Sequence, residues 1–242
     1  MSQVLNNRPE TKQELLDRVQ GLNGLTIGQS ARRYGLAIPD NLRHHKGWFG
    51  HLMERVLGAD AQSKPMPDFT QLGIELKTLP IGNNGKPSES TFVASINLLK
   101  IYQENWETSV VKKKLSQVLW LPMEGNSAIP LSERRIGLGF IWYPTPQQMD
   151  QLAEDWRLLT ELIVLGKLEN ISAHLGRWLQ IRPKAANGKA LTSARNEAGT
   201  VIKTLPRGFY LRSRFTYQLL LDAMANESAC QGKIEMSGSS AN

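Results

Sequence analysis

The sequence predicts a mixed α/β (α+β) domain, in which strands with helices before, between and after them build a mixed central sheet. Two kinds of periodicity point there. Several segments repeat apolar residues at helical spacing, and others alternate or run apolar in the manner of strands. Length agrees with this, since 242 residues with 40% hydrophobic and 21% charged composition can bury one substantial core or two lobes.

From Glu10 to Leu22, the positions Leu15, Leu16, Val19 and Leu22 follow a helical period. LTIGQSARRYGL predicts a second short helix closed by Gly35; its faint likeness to a helix-turn-helix segment is a pattern that simple packing also produces. KGWFGHLMERVLG predicts an amphipathic helix with Trp48, Phe49, Leu52, Met53, Val56 and Leu57 on one broad face. Glu54 falls at the border of that stripe, and helix geometry alone makes it a solvated flank residue. STFVASINLL, QVLWLPM and IGLGFIWYP predict strands, the last two apolar enough to be buried. TPQQMDQLAEDWRLLTELIVL predicts a helix capped by Thr145 with Pro146 in its first turn. GRWLQIRPK and GFYLRSR are expected to be extended, and FTYQLLLDAM to be a closing helix. GNNGKPSES is expected to form an exposed loop. Residues 226–242 are small and polar, and are expected to be disordered.

Charge is unevenly placed. Between Arg177 and Arg214 lie nine basic residues against one acid, Glu197, while the whole chain carries +7, so the remainder is close to neutral. Such a block fits a polyanion binder or a solubilising surface; the interleaved Trp178, Phe209 and Tyr210 favour nucleic acid, where aromatic rings stack or wedge. The opening MSQVLNNRPETKQELL lacks the apolar stretch of a secretory leader, and no apolar run reaches membrane-spanning length. The single cysteine, Cys230, excludes an internal disulfide and a thiolate metal site, so a cytoplasmic protein without a membrane partner is expected.

The chemistry concentrates in PMPDFTQLGIELKTLPI, residues 65–81. IELKTL alternates, so Glu75 and Lys77 share one face of a strand and lie roughly 6–7 Å apart at Cα. Asp68 precedes them across the turn candidate TQLG, and if that turn folds back, Asp68 approaches Glu75. Two converging carboxylates offer hard oxygen ligands for Mg²⁺, and a lysine beside them can support a developing phosphoryl charge. Taken alone, the spacing also fits an ordinary strand surface. His44, His45, His51 and His174 form no recognised ligand set, and Lys112–Lys114 reads as a solvated run.

P-D, six residues, then E-x-K matches the pattern of the PD-(D/E)XK nucleases. Four longer segments then narrow the resemblance: KGWFGHLMERVLGA, PDFTQLGIELKTLPI, WLQIRPKAANGKAL and IKTLPRGFYLRSRFT resemble, in order, the MutH family of methyl-directed mismatch-repair endonucleases. The likeness spans about residues 10 to 225. It implies a restriction-endonuclease-like nuclease domain over residues 1–225, with two lobes around a DNA cleft, acting as a monomer. It implies nicking of the unmethylated strand at hemimethylated GATC sites in double-stranded DNA, with Mg²⁺, on activation by MutL downstream of MutS. It implies that Asp68, Glu75 and the Leu76 carbonyl hold the metal, that Lys77 is the catalytic lysine, and that Glu54 is a further catalytic acid. It also implies that Lys46, Gly47, Phe92, Lys114, Arg182, Lys184 and Tyr210 contact DNA. A restriction enzyme cutting both strands and a non-catalytic DNA-binding module are the competing readings; the second gives no reason to aim two carboxylates at phosphates.

Overall fold

A computed structural model describes residues 8–38, 47–62, 64–172, 174–184 and 190–238. Its helices and strands run, in chain order, α1 (Lys12–Gln20), α2 (Ile27–Arg33), α3 (Trp48–Leu57), β1 (Glu75–Ile81), β2 (Thr91–Ser95), α4 (Val110–Leu115), β3 (Val118–Glu124), β4 (Phe140–Trp142), α5 (Pro146–Val164), β5 (Leu179–Pro183), β6 (Thr192–Arg195), β7 (Val201–Thr204), β8 (Arg207–Leu211) and α6 (Ser213–Gly238).

Local chemistry accounts for the helix starts. The Thr11 hydroxyl accepts from the Glu14 amide at the head of α1. Thr26 with Gln29, and Thr145 with Gln148, form reciprocal capping boxes on α2 and α5, each satisfying two amides that the helix itself cannot. α3 buries Phe49, Leu52, Met53, Val56 and Leu57, the face anticipated from its spacing, although Trp48 stays half-buried.

The strands form three small sheets where one central sheet is anticipated. β1 pairs parallel with β3, which pairs antiparallel with β4, giving a mixed sheet. β2 leaves its sequence neighbour and joins an antiparallel sheet in the order β2-β8-β5. β6 and β7 make a separate ribbon.

β3 is buried along nearly its whole length because it is a wall shared by two cores. Val118 and Trp120 face the larger core, with Leu79, Trp106, Trp156, Phe209 and Phe215. Leu119, Leu121 and Met123 face the smaller one, with Leu15, Val19, Ile27, Leu52, Met53 and Leu76. The period-2 alternation of a strand delivers one set to each side.

α6 is helical through Gly238, past residue 226, where the sequence is expected to lose order. The extension contains Ala, Glu, Gln, Lys and Met, all good helix formers, and no proline.

Candidate active site

The chain from Phe69 to Ile74 is a tight reversal: the Phe69 amide donates to the Ile74 carbonyl at 2.9 Å, and the Gly73 amide returns to the Phe69 carbonyl at 2.9 Å. Asp60 braces it, its carboxylate accepting from the Thr70 amide at 2.8 Å and the Thr70 hydroxyl at 2.7 Å. The reversal lays Asp68 against β1, where its Oδ2 accepts from the Leu76 amide at 2.9 Å. The turn candidate TQLG therefore does fold the segment back.

Glu75 is 1% exposed, and its carboxylate is held by two ammonium groups. Lys77 Nζ donates to Oε1 at 2.5 Å. Lys114 Nζ, brought from α4, donates to Oε1 at 2.8 Å and to Oε2 at 3.0 Å. α4 also packs on β2, so one short helix links the acidic cluster to the second sheet. Burial, followed by the negative charge of Glu75, pushes the Asp68 carboxyl up to about 6, against the opposing pull of Lys77, the Leu76 amide and Lys114.

A basic and aromatic face lies on the β2-β8-β5 sheet. Phe92 opposes Tyr210, and Gln180 opposes Tyr210 from the other side, while Arg182 opposes Gly208. The Phe92 and Tyr210 rings meet edge to face at 5.3 Å. Phe92 also covers Gly208 so closely that a Cβ there would sit 2.9 Å from the ring, which is why this position carries no side chain. Lys184 Nζ stands 3.2 Å above the Phe92 ring centre. Ser90, at the end of the 82–90 loop, gathers the strand polar groups: Gln180 donates to its Oγ at 2.7 Å and Arg182 at 3.3 Å. Burial, and then the ammonium groups of Lys77 and Lys114, pull Lys184 below the ordinary lysine range. Lys184 thus shares an electrostatic environment with the acidic cluster. Burial also pushes the Tyr210 phenol up, with Arg182 opposing and Glu89 adding to the shift.

A family model described as MutH, DNA mismatch repair enzyme, matches residues 57–155. A DNA mismatch repair protein MutH from Vibrio campbellii is 52% identical over 218 residues, covering 90% of this chain and 96% of the relative. Its counterpart in Escherichia coli K12 is 51% identical over 212 residues, covering 88% of this chain and 93% of the relative.

This chain belongs to the MutH family.

The stretch matched by the MutH model contains Asp68, Glu75, Lys77, Phe92 and Lys114. Of the site residues anticipated from the sequence, the fold gathers Asp68, Glu75, Leu76, Lys77 and Lys114 into one cluster, and Phe92, Arg182, Lys184 and Tyr210 onto one sheet face. Glu54 stands apart from their hydrogen bonds. It lies on α3, which packs against β1, and its carboxylate meets His51 Nδ1 at 3.2 Å. Gly47 starts α3 with φ +85°, a left-handed conformation that favours glycine. Lys46, like His44 and His45, lies outside the described residues.

Among the described residues no cluster of three or more His, Cys, Asp and Glu side chains is arranged for a metal. Asp68 and Glu75 alone still fit a hard divalent ion of the Mg²⁺ type, which takes one or two carboxylates and completes its shell with water and substrate oxygens. The negative charge of Glu75 adds to burial in pushing the Asp68 carboxyl up, and the ammonium groups of Lys77 and Lys114 oppose that push. Sequence reasoning missed Ser90 and Gln180, because a serine in a polar loop and a glutamine in a strand carry no local signature.

Proposed function

We propose that this chain is the DNA mismatch-repair endonuclease that nicks the unmethylated strand at hemimethylated GATC sites, with Mg²⁺, under activation by MutL acting with MutS. The observation that supports the reading is the junction of Asp68, Glu75 and Lys77 at the start of β1, joined through Lys114 of α4 to the sheet that carries the basic and aromatic face.

Hydrolysis of a phosphodiester adds water to phosphorus and releases a sugar oxygen. Asp68, Glu75 and the Leu76 carbonyl would hold Mg²⁺, which when bound supplies charge neutralisation and lowers the pKa of water from about 15.7 toward neutrality. Lys77, whose amine already lies against Glu75, places a positive charge beside the scissile phosphate and orients the attacking water. Glu54, one helix away, serves as a further acid toward that water once DNA is seated. Lys114 contacts the DNA backbone. Arg182 and Lys184 read guanine or phosphate from the major groove, with Lys46, Gly47 and Phe92 against the duplex. Tyr210, packed against Phe92 and flanked by Gln180, would sense an adenine methyl with its ring. Sequence identity near one half with proteins named for mismatch repair supports the biological assignment.

Incubation with hemimethylated, unmethylated and fully methylated GATC duplexes, in Mg²⁺ or EDTA and with or without MutL, tests the reading. Nicks are expected on unmethylated strands only, absent in EDTA and increased by MutL. Asp68→Ala and Glu75→Ala should abolish nicking while retaining DNA binding, and Tyr210→Ala should blunt the methylation preference. Cleavage in EDTA, or indifference to adenine methylation, sinks it.

A further inference from the structure

The Glu75 carboxylate is occupied before any ligand arrives. Lys77 belongs to the same strand and meets one oxygen, whereas Lys114 is delivered from α4 and bridges both. The side chains of Lys77 and Lys114 are only 13% and 14% exposed, so water screens these charges poorly. With Asp68 ionised, two carboxylates face two ammonium groups and the cluster is already neutral. Lys184 adds a third cation within electrostatic reach of both lysines. A divalent cation entering this arrangement would meet balanced charge and neighbouring positive groups in a medium of low effective dielectric. An arriving phosphate reverses that condition, because it offers Lys114 another acceptor and supplies the missing negative charge.

We propose that Lys114 closes the cation site of the DNA-free protein as a built-in counter-charge, so that divalent cation and DNA phosphate bind with positive cooperativity. The proposal rests on the reading of Asp68 and Glu75 as cation ligands. By linkage, the factor by which DNA tightens cation binding equals the factor by which the cation tightens DNA binding. The device would keep a nuclease from holding a loaded metal away from its substrate.

Mn²⁺ serves as the probe, with free ion measured by electron paramagnetic resonance and no cleavage required. In the DNA-free protein, Lys114→Met should bind Mn²⁺ about tenfold or more tighter than the unsubstituted chain, the effect of removing one poorly screened like charge. Lys114→Arg, which keeps the charge, should behave as the unsubstituted chain does. A GATC duplex should tighten Mn²⁺ binding in the unsubstituted chain by a larger factor than in Lys114→Met. Circular dichroism checks that each variant is folded, and Lys114→Gln replaces Lys114→Met if the latter is not. Equal or weaker Mn²⁺ binding by a folded neutral variant overturns the proposal, as does Mn²⁺ affinity in the unsubstituted chain that DNA leaves unchanged. The ligand assignment fails separately: Asp68→Ala binding Mn²⁺ as the unsubstituted chain does would remove the site itself, whatever the Lys114 variants do.

Discussion

Lys184 shows at the scale of one residue how position changes chemistry. Its ammonium group lies over an aromatic ring, is partly desolvated, and faces two further lysines, so its proton is held less tightly than that of an ordinary lysine. For a lysine whose folded-state pKa is depressed, the charged form exists only below that lowered value, and the cation is lost as pH rises through it. DNA affinity should therefore fall on the alkaline side before ordinary lysines titrate. Lys184→Arg, whose guanidinium stays charged, should flatten that fall. Affinities measured across alkaline pH at fixed salt check it, and a profile identical in both proteins contradicts it. The motif residues Asp68, Glu75 and Lys77 were legible in the sequence because their chemistry is local: one turn and one alternating strand. The contact of Lys114 with Glu75 was not, since the two are separated by 39 positions and only tertiary packing joins them.

Among the elements, α1, α2, α3 and α5 were legible because caps and apolar stripes lie within each segment. The ribbon β6–β7 was not: its alternation is short, and each strand has only four residues. α4 was hidden for a related reason, since VVKKKL spans only six residues and a lysine run reads as surface. Pairing of β2 with β8 was also out of reach, because register between distant strands is a property of the assembled sheet. The junction of α5 with β5 depends on one buried carboxylate. Asp155, 3% exposed, accepts from the amides of Arg177 at 2.8 Å, Trp178 at 2.6 Å and Leu179 at 2.8 Å. Nothing in LAEDWRLL distinguishes it from a surface acid. Asp155→Ala would strand those amides, and should lower unfolding free energy by about 3 kcal/mol or more in denaturant titration, at roughly 1 kcal/mol or more for each donor. A loss under about 1 kcal/mol would mean that the amides find other partners.

For the whole molecule, the basic block contains residues of two kinds that composition could not separate. Arg212 donates to the carbonyls of Gly176 at 3.0 Å and Leu175 at 2.6 Å, and Arg214 donates to that of Arg177 at 2.6 Å, so both tie α6 to the turn before β5. Arg182 and Lys184 instead lie at the end of β5 beside Ser90 and Phe92. Salt titrations of DNA binding should report the difference. Lys184→Ala, if it loses a phosphate contact, should reduce the slope of log affinity against log salt by about 1, whereas Arg214→Ala should leave the slope and lower thermal stability. Equal slopes in all three proteins would mean that neither side chain meets phosphate. Among the described residues, no helix is long and apolar enough to cross a membrane.

β3 has one more consequence. Because adjacent residues of that strand belong to opposite cores, opening either core exposes the wall of the other, and the two should melt as one cooperative unit. The acidic cluster is built on β1, the parallel neighbour of that shared strand. The β1 amides that carry Asp68's partner Leu76 and the Glu75–Lys77 pair should therefore exchange with solvent among the slowest in the chain, and hydrogen exchange followed residue by residue checks this; fast exchange across β1 contradicts it.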